Sequence, residues 1–168
     1  MGLRLHGRLT EVRPATNDDA DLLVAWHADP GVSSYWDGET FTRDDVLARL
    51  ARADVDAYIV EARGEPVGYI QAWWEDGEPR RGGLDMFLIP DARGRGLGPD
   101  SARALAESLL ASGWAGVTVD PYTWNEPAIR AWRRAGFVDV EERPADDEHT
   151  SPWLLMEFRS AATSASSR

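Results

Sequence analysis

The sequence predicts a single α/β domain, and three observations carry that prediction. Apolar runs of strand length interleave with segments whose apolar residues recur at helical spacing. A glycine-rich turn, Asp91 to Asp100, links one such run directly to the next helical segment. The 168 residues, 43% of them apolar, suit one domain with a sizeable core.

The elements follow in order. Residues 8 to 14 alternate enough for a first strand, closed by Pro14. Thr16 to Asp19 supply caps and first-turn acids for a helix over Ala20 to Ala28, with Pro30-Gly31 as its stop. Thr42 to Asp45 open a second helix that runs to about Arg52. Asp56 to Ala62 and Val67 to Glu75 read as a hairpin about the turn Arg63 to Pro66. A polar loop, Asp76 to Gly83, precedes a strand at Leu84 to Ile89. Past the glycine turn, Ser101 to Leu110 has helical spacing and stops near Ser112-Gly113. Gly116 to Asp120 is the next strand. A helix follows, with Asn125 as its N-cap and Gly136 as its C-cap. Two final strands, Phe137 to Glu142 and Trp153 to Arg159, flank an acidic loop. Residues 1–160 are thus expected to form one domain, and the Ser/Ala-rich end, 161–168, a disordered tail.

Composition removes several classes of function. With zero cysteines there is no disulfide, thiolate metal site or cysteine nucleophile, and no metal is expected. The net charge of −11 argues against nucleic acid, whose phosphates need a basic face. The acid surplus reads either as a solubilising surface or as a field that concentrates a cationic substrate. No apolar run approaches the ~20 residues of a membrane span, and nothing reads as a signal peptide, so cytoplasmic residence is the default.

Chemistry concentrates in the glycine turn. Arg93, Gly94, Arg95, Gly96, Leu97 and Gly98 form an R-x-x-G-x-G pattern between strand and helix. Glycines let backbone N–H groups approach a phosphate, and the helix N-terminus adds partial positive charge. Pro99 suits the first helical turn. Glycines in such a turn can also be purely steric. No lysine follows the last glycine, so the Walker pattern fails, and spacing by two misses the Rossmann fingerprint. Asp120 stands near the place a Rossmann acid would occupy, so that alternative is disfavoured rather than excluded.

Asp85 interrupts an otherwise apolar strand, where an unpaired carboxylate costs several kcal/mol. It either faces a cleft or pairs with a buried arginine, and the cleft is favoured. Asp120 is either a turn residue before Pro121 or a second carboxylate in the same opening.

The glycine turn and the downstream pattern Asn125, Ala128, Trp132, Gly136, Phe137 together resemble the GNAT superfamily of acetyl-CoA-dependent N-acetyltransferases. That family pairs an R/Q-x-x-G-x-G/A loop with N-x-x-A-x-x-x-Y-x-x-x-G-F. The resemblance spans residues 8 to 159. It implies a mixed, mostly antiparallel sheet with helices on both faces and one parallel strand pair that splays apart. Acetyl-CoA would lie in the splay, its pantetheine along Met86, Phe87 and Leu88 and its pyrophosphate on residues 93–98. Asn125, Ala128 and Trp132 would line it.

A narrower resemblance is to aminoglycoside 6′-N-acetyltransferases that carry G-E-P-x-G-Y-x-Q on the central hairpin, here Gly64 to Gln71. It implies that Asp85 is catalytic and that Asp120 holds substrate, with Glu75 or Asp76 as a further acid. Trp26, Tyr35, Trp36 and Trp74 would supply platforms for sugar rings. The implied reaction is direct attack of a polyamine's neutral nitrogen on the thioester. Where relatives have a tyrosine acid this chain has Trp132, and Tyr122 is the candidate substitute. Competing readings are acetylation of a protein N-terminus or a siderophore hydroxylamine, and a non-catalytic acyl-CoA-binding module. A monomer or homodimer is expected.

Overall fold

The computed structural model describes residues 3–161; the segment 162–168, most of the expected tail, lies outside the described residues. Among the described residues eight strands form one sheet in the order β1-β2-β3-β4-β5-β6-β8-β7. The strands are β1 (Leu5–His6), β2 (Glu11–Pro14), β3 (Val55–Ala62), β4 (Glu65–Trp74), β5 (Arg81–Leu88), β6 (Gly116–Val119), β7 (Phe137–Arg143) and β8 (Trp153–Phe158). The helices are α1 (Ala20–Ala28), α2 (Pro30–Ser33), α3 (Arg43–Leu50), α4 (Leu97–Ala111) and α5 (Glu126–Ala135). All neighbours are antiparallel except β5 and β6.

Side-chain alternation on the central strands divides the core between two faces. Ile70 and Leu84 pack with Leu105, Val117 and Met156 beneath α4 and α5. Tyr69 and Phe87 pack with Leu23 and Val46 beneath α1 and α3. Each fully buried aliphatic side chain contributes about 1.5–3 kcal/mol.

Several boundaries differ from the sequence reading. The strand expected over 8–14 is β2 and begins at Glu11, with a short β1 ahead of it, because residues 7–10 form a tight turn closed by Gly7 N–H donating to the Thr10 carbonyl (2.8 Å). Asp100 in α4 pins that turn, accepting from the N–H groups of Arg8, Leu9 and Thr10 and from Thr10 Oγ1 at 2.8–3.0 Å. Pro30-Gly31 starts α2 instead of only stopping α1, since Asp29 caps the Gly31 N–H and proline suits a first turn. β5 starts at Arg81, three residues early. Gly82 and Gly83 belong to the strand, because a Cβ on Gly82 would lie 1.8 Å from the Trp73 carbonyl oxygen. α4 starts at Leu97, four residues early.

The feature that positions the site is the short parallel ladder. It joins Arg81, Gly82 and Gly83 to Gly116, Val117 and Thr118, and then stops. β6 turns away to pair with β8 through Thr118 and Val119. Beyond Gly83, the edge of β5 is open on that side.

Candidate active site

The open edge of β5 forms one wall of a cleft of about 390 Å³. Met86, Phe87 and Leu88 line it from the strand, Arg93, Gly94, Gly96, Leu97 and Gly98 from the turn, and Asn125, Ala128 and Trp132 from α5. Tyr35, expected as a platform for sugar rings, also lines this cleft. Arg95 is exposed on the turn and outside the lining.

The turn's shape follows from its glycines. Gly94 and Gly96 hold φ of +77° and +76°, and Gly96 is the residue from which α4 starts. A side chain there would strain the backbone, so this peptide conformation is open only to glycine at low cost. Gly98 is different: a Cβ would meet only Leu88 and Met86, at ordinary distances of 3.6 and 3.7 Å. The Arg93 guanidinium is spent on the protein itself. It donates to the carbonyls of Leu88 (3.1 Å) and Gly31 (2.6 Å), fastening the turn to β5 and α2. An anion on this turn would meet main-chain N–H groups and the start of α4 rather than the Arg93 guanidinium. Asn125 Oδ1 accepts from the Ala128 N–H (3.3 Å) and fixes the start of α5 across the cleft.

Asp85 shares its sheet face with Phe87, Gln71 and Tyr69. Tyr69 Oη donates to Gln71 Oε1 (2.7 Å), and Gln71 Nε2 donates to Asp85 Oδ2 (2.8 Å). Burial, then the charge of Asp120, push the Asp85 carboxyl up to about 6, while the Gln71 bond and the charges of Arg49 and His149 pull the other way. Burial also holds the Tyr69 hydroxyl up at about 12, so it stays protonated and keeps its donor role. The tyrosine and glutamine of the G-E-P-x-G-Y-x-Q hairpin are thus the support of Asp85.

Trp26 and Trp36 stand over this face. Trp36 meets Phe87 edge-on at 5.8 Å and Tyr69 at 6.4 Å, and Trp26 meets Phe87 at 6.0 Å. His27 is sealed among Trp36, Phe41 and Phe87, and burial followed by the charge of Arg49 lowers its pKa to about 4. The Arg49 guanidinium lies over Phe41 (4.2 Å) and Trp36 (5.5 Å).

Trp74 does not belong to this wall. It packs against the core beneath α4, edge-on to Trp114 at 5.8 Å, on the opposite sheet face from Asp85. The tryptophan on the Asp85 side is Trp73, whose indole crosses Gly83 so closely that a Cβ there would lie 2.6 Å from the ring. Strand alternation separates the two neighbours, a signal present in the sequence. Glu75 and Asp76 sit exposed on the loop after β4, and among the described residues neither carboxylate bonds to the groups around Asp85.

Asp120 lies just past β6, one-third exposed, and His149 Nε2 meets its Oδ2 at 2.8 Å. His149 comes from the β7–β8 loop and no sequence motif marked it. Tyr122 donates to Asp37 Oδ1 (3.0 Å) and is not part of the cofactor cleft, so its proton is already committed. Trp132 is buried edge-on to Phe137 at 5.2 Å and offers no acid.

The arrangement presents a carboxyl raised to about 6 by burial on the strand that lines a cleft of about 390 Å³, with a glycine turn at the start of α4 in the same lining. Residues 15–144 match the acetyltransferase (GNAT) domain family. The aminoglycoside N(6′)-acetyltransferase type 1 of Klebsiella pneumoniae is 32% identical over 145 residues, 75% of this chain and 72% of that protein; the Serratia marcescens protein of the same name gives the same figures. The structure of AAC(6′)-Ib in complex with paromomycin and acetyl-CoA matches with a TM-score of 0.79 at 28% identity, covering 95% of this chain and 98% of the other. AAC(6′)-Ib in complex with coenzyme A and kanamycin gives a TM-score of 0.78 at the same identity, covering 95% and 99%.

Proposed function

This chain belongs to the GNAT acetyltransferases, and from that premise we propose that it transfers the acetyl group of acetyl-CoA to the 6′-amine of an aminoglycoside. The observation that carries the proposal is Asp85: a carboxyl with pKa near 6 on the strand that lines the cofactor cleft, facing an aromatic wall. Such a group is ionised at neutral pH yet basic enough to take a proton from an ammonium.

The cleft fits the cofactor. Met86, Leu88, Ala128 and Trp132 give its lining an apolar part, and the Gly94–Gly96 bend at the start of α4 offers main-chain N–H groups to a diphosphate. The bound cofactor supplies an activated acetyl thioester. The open edge of β5 offers amide and carbonyl groups for an extended chain, as in strand addition. An amine that arrives protonated has no lone pair, so Asp85 must first accept its proton. The Tyr69–Gln71 relay holds Asp85 Oδ2 and leaves Oδ1 for the acceptor. Asp120 supplies a second carboxylate for a polycation, and Trp26, Trp36 and Trp73 offer flat apolar faces to sugar rings. Backbone N–H groups of β5 stabilise charge developing on the carbonyl oxygen. Trp132 donates no proton to the sulfur; a thiol with pKa near ~8.5 leaves adequately without one. The enzyme works in the cytoplasm, as a monomer or homodimer.

The test is a thiol-release assay with kanamycin and tobramycin against an amino-terminal peptide. The aminoglycosides are expected to give kcat/KM values higher by about 10²-fold or more, and a 6′-hydroxyl analogue none. Turnover on the peptide with none on any aminoglycoside would overturn the proposal.

A further inference from the structure

We propose that His149 is a positioning residue of the acceptor site: as an imidazolium clamped between Asp120 and Asp146, it fixes the Asp120 carboxylate with Oδ1 left for the incoming ammonium. The role rests on the reading that Asp120 receives the acceptor.

The geometry is specific. His149 Nε2 lies 2.8 Å from Asp120 Oδ2, and Nδ1 lies 2.8 Å from Asp146 Oδ1. A neutral imidazole has one N–H and one lone pair, and a lone pair facing an ionised carboxylate at that distance is repulsive. Only the doubly protonated ring donates at both ends. The ring is also held in plane, stacked on Trp153 at 4.2 Å and 15° and met edge-on by Tyr122 at 6.2 Å.

The two carboxylates differ in what else they do. Asp146 is consumed within its loop: its Oδ1 accepts from the N–H groups of Glu148 and His149, and its Oδ2 from Trp153 Nε1 (3.0 Å). Among the described residues Asp120 bonds through Oδ2 alone, and its side chain is one-third exposed. Asp146 therefore anchors the histidine and Asp120 is the end it serves. The groups facing His149 are Asp120 and Tyr122 after β6, Asp146 in its own loop and Trp153 on β8. Arg143 of β7 lies behind Trp153, 5.3 Å from its ring, and Asp37 binds the far side of Tyr122. Burial opposes the charge on His149, but the bonds to Asp120 and Asp146 raise its pKa above the ordinary histidine value.

The consequence reaches Asp85. Asp120 raises the Asp85 carboxyl and His149 lowers it. The imidazolium thus lets two carboxylates share one opening while one stays basic near neutrality.

Two measurements test this. Nitrogen-15 spectra of protein labelled at histidine, assigned with His149→Gln, are expected to give both His149 ring nitrogens protonated at pH 7, with a midpoint that falls in Asp120→Asn. A neutral ring at pH 7 would overturn the proposal. In steady-state kinetics with kanamycin, His149→Ala is expected to raise the amine KM about tenfold, with acetyl-CoA KM and kcat within about twofold. His149→Gln, whose Nε2 still donates to Asp120, recovers most of that loss. An unchanged amine KM, or equal damage to both KM values without glutamine rescue, would sink it. A wild type that acetylates no amine would remove the acceptor reading, while the spectra still decide whether the imidazolium bridge exists.

Discussion

On the side of the splay proposed for the cofactor most of the groups on offer are main-chain N–H and C=O, presented by the edge of β5, by the Gly94–Gly96 bend and by the start of α4, with Arg130 and Arg134 of α5 also lining the cleft. On the acceptor side they are side chains gathered from distant segments: Asp85 from β5, Gln71 and Tyr69 from β4, Asp120 past β6, His149 from the β7–β8 loop, and tryptophans from α1 and the segment after α2. A main-chain site depends on φ and ψ and tolerates almost any side chain that leaves the backbone alone. A side-chain site depends on neighbours, because its working property is a pKa set by burial and charge. Substitutions should therefore damage the first through conformation and the second through electrostatics.

The largest expected effect tests the electrostatic half. Asp85→Asn should lower kcat by about 10²-fold or more while leaving acetyl-CoA affinity nearly intact. Wild-type kcat/KM should rise with pH through about 6, as Asp85 ionises, and the variant should lose that limb. The same substitution should stabilise the fold. The Asp85 carboxyl sits at about 6 when folded against an ordinary value of 3.8, so between those pH values the native state binds the extra proton. Stability then falls as pH rises through that window and stays lower above it. Removing the charge should return about 1–3 kcal/mol at pH 8, a rise in Tm of roughly 2–12 °C. A kcat loss with no gain in Tm would place the carboxylate in solvent and weaken the contrast.

The conformational half is tested by Gly96→Val. A β-branched residue at φ +76° costs about 1–3 kcal/mol and moves the amides that begin α4. Acetyl-CoA KM should rise about tenfold, with the amine KM and the pH profile unchanged. Calorimetric titration with coenzyme A separates this from a general loss of fold. An unaltered affinity would put the diphosphate elsewhere.

The same division explains what the sequence disclosed. A backbone site needs its residues contiguous, so R-x-x-G-x-G and the Asn125–Phe137 helix stood out as strings. The Asp85 support was half legible, since Tyr69 and Gln71 lie in the hairpin motif and alternation puts both on one face. His149 was not legible. It sits 29 residues after its partner Asp120, in a loop whose acids read as solvated, and only the β7–β8 pairing beside β6 brings the two together. Asp100 was hidden for the same reason: the turn it pins lies some 90 residues earlier. Gly82 and Gly83 misled in the opposite sense. Their composition suggests a loop, yet they are strand residues, Gly82 kept small by the main chain of Trp73 and Trp74 and Gly83 by the Trp73 indole.

Those tryptophans give the finest test, because two adjacent and chemically identical side chains fall on opposite faces of the sheet, one beside Asp85 and one in the core. Trp73 crosses Gly83 on the Asp85 face, whereas Trp74 packs on Trp114 with the Arg80 guanidinium 4.6 Å from its ring. Phenylalanine keeps an aromatic ring at either position but removes area and the indole N–H. Trp73→Phe should therefore raise the amine KM by about threefold, the loss of part of a stacking contact, with Tm unchanged. Trp74→Phe should lower Tm by about 2–4 °C, equivalent to roughly 1 kcal/mol of lost core packing, with the amine KM unchanged. The reverse outcome would mean that β4 presents its other face to the acceptor, and with it Ile70 and Ala72 rather than Tyr69 and Gln71. Asp85 would then stand without the relay that holds it, so this smallest effect bears on the register of the whole acceptor wall.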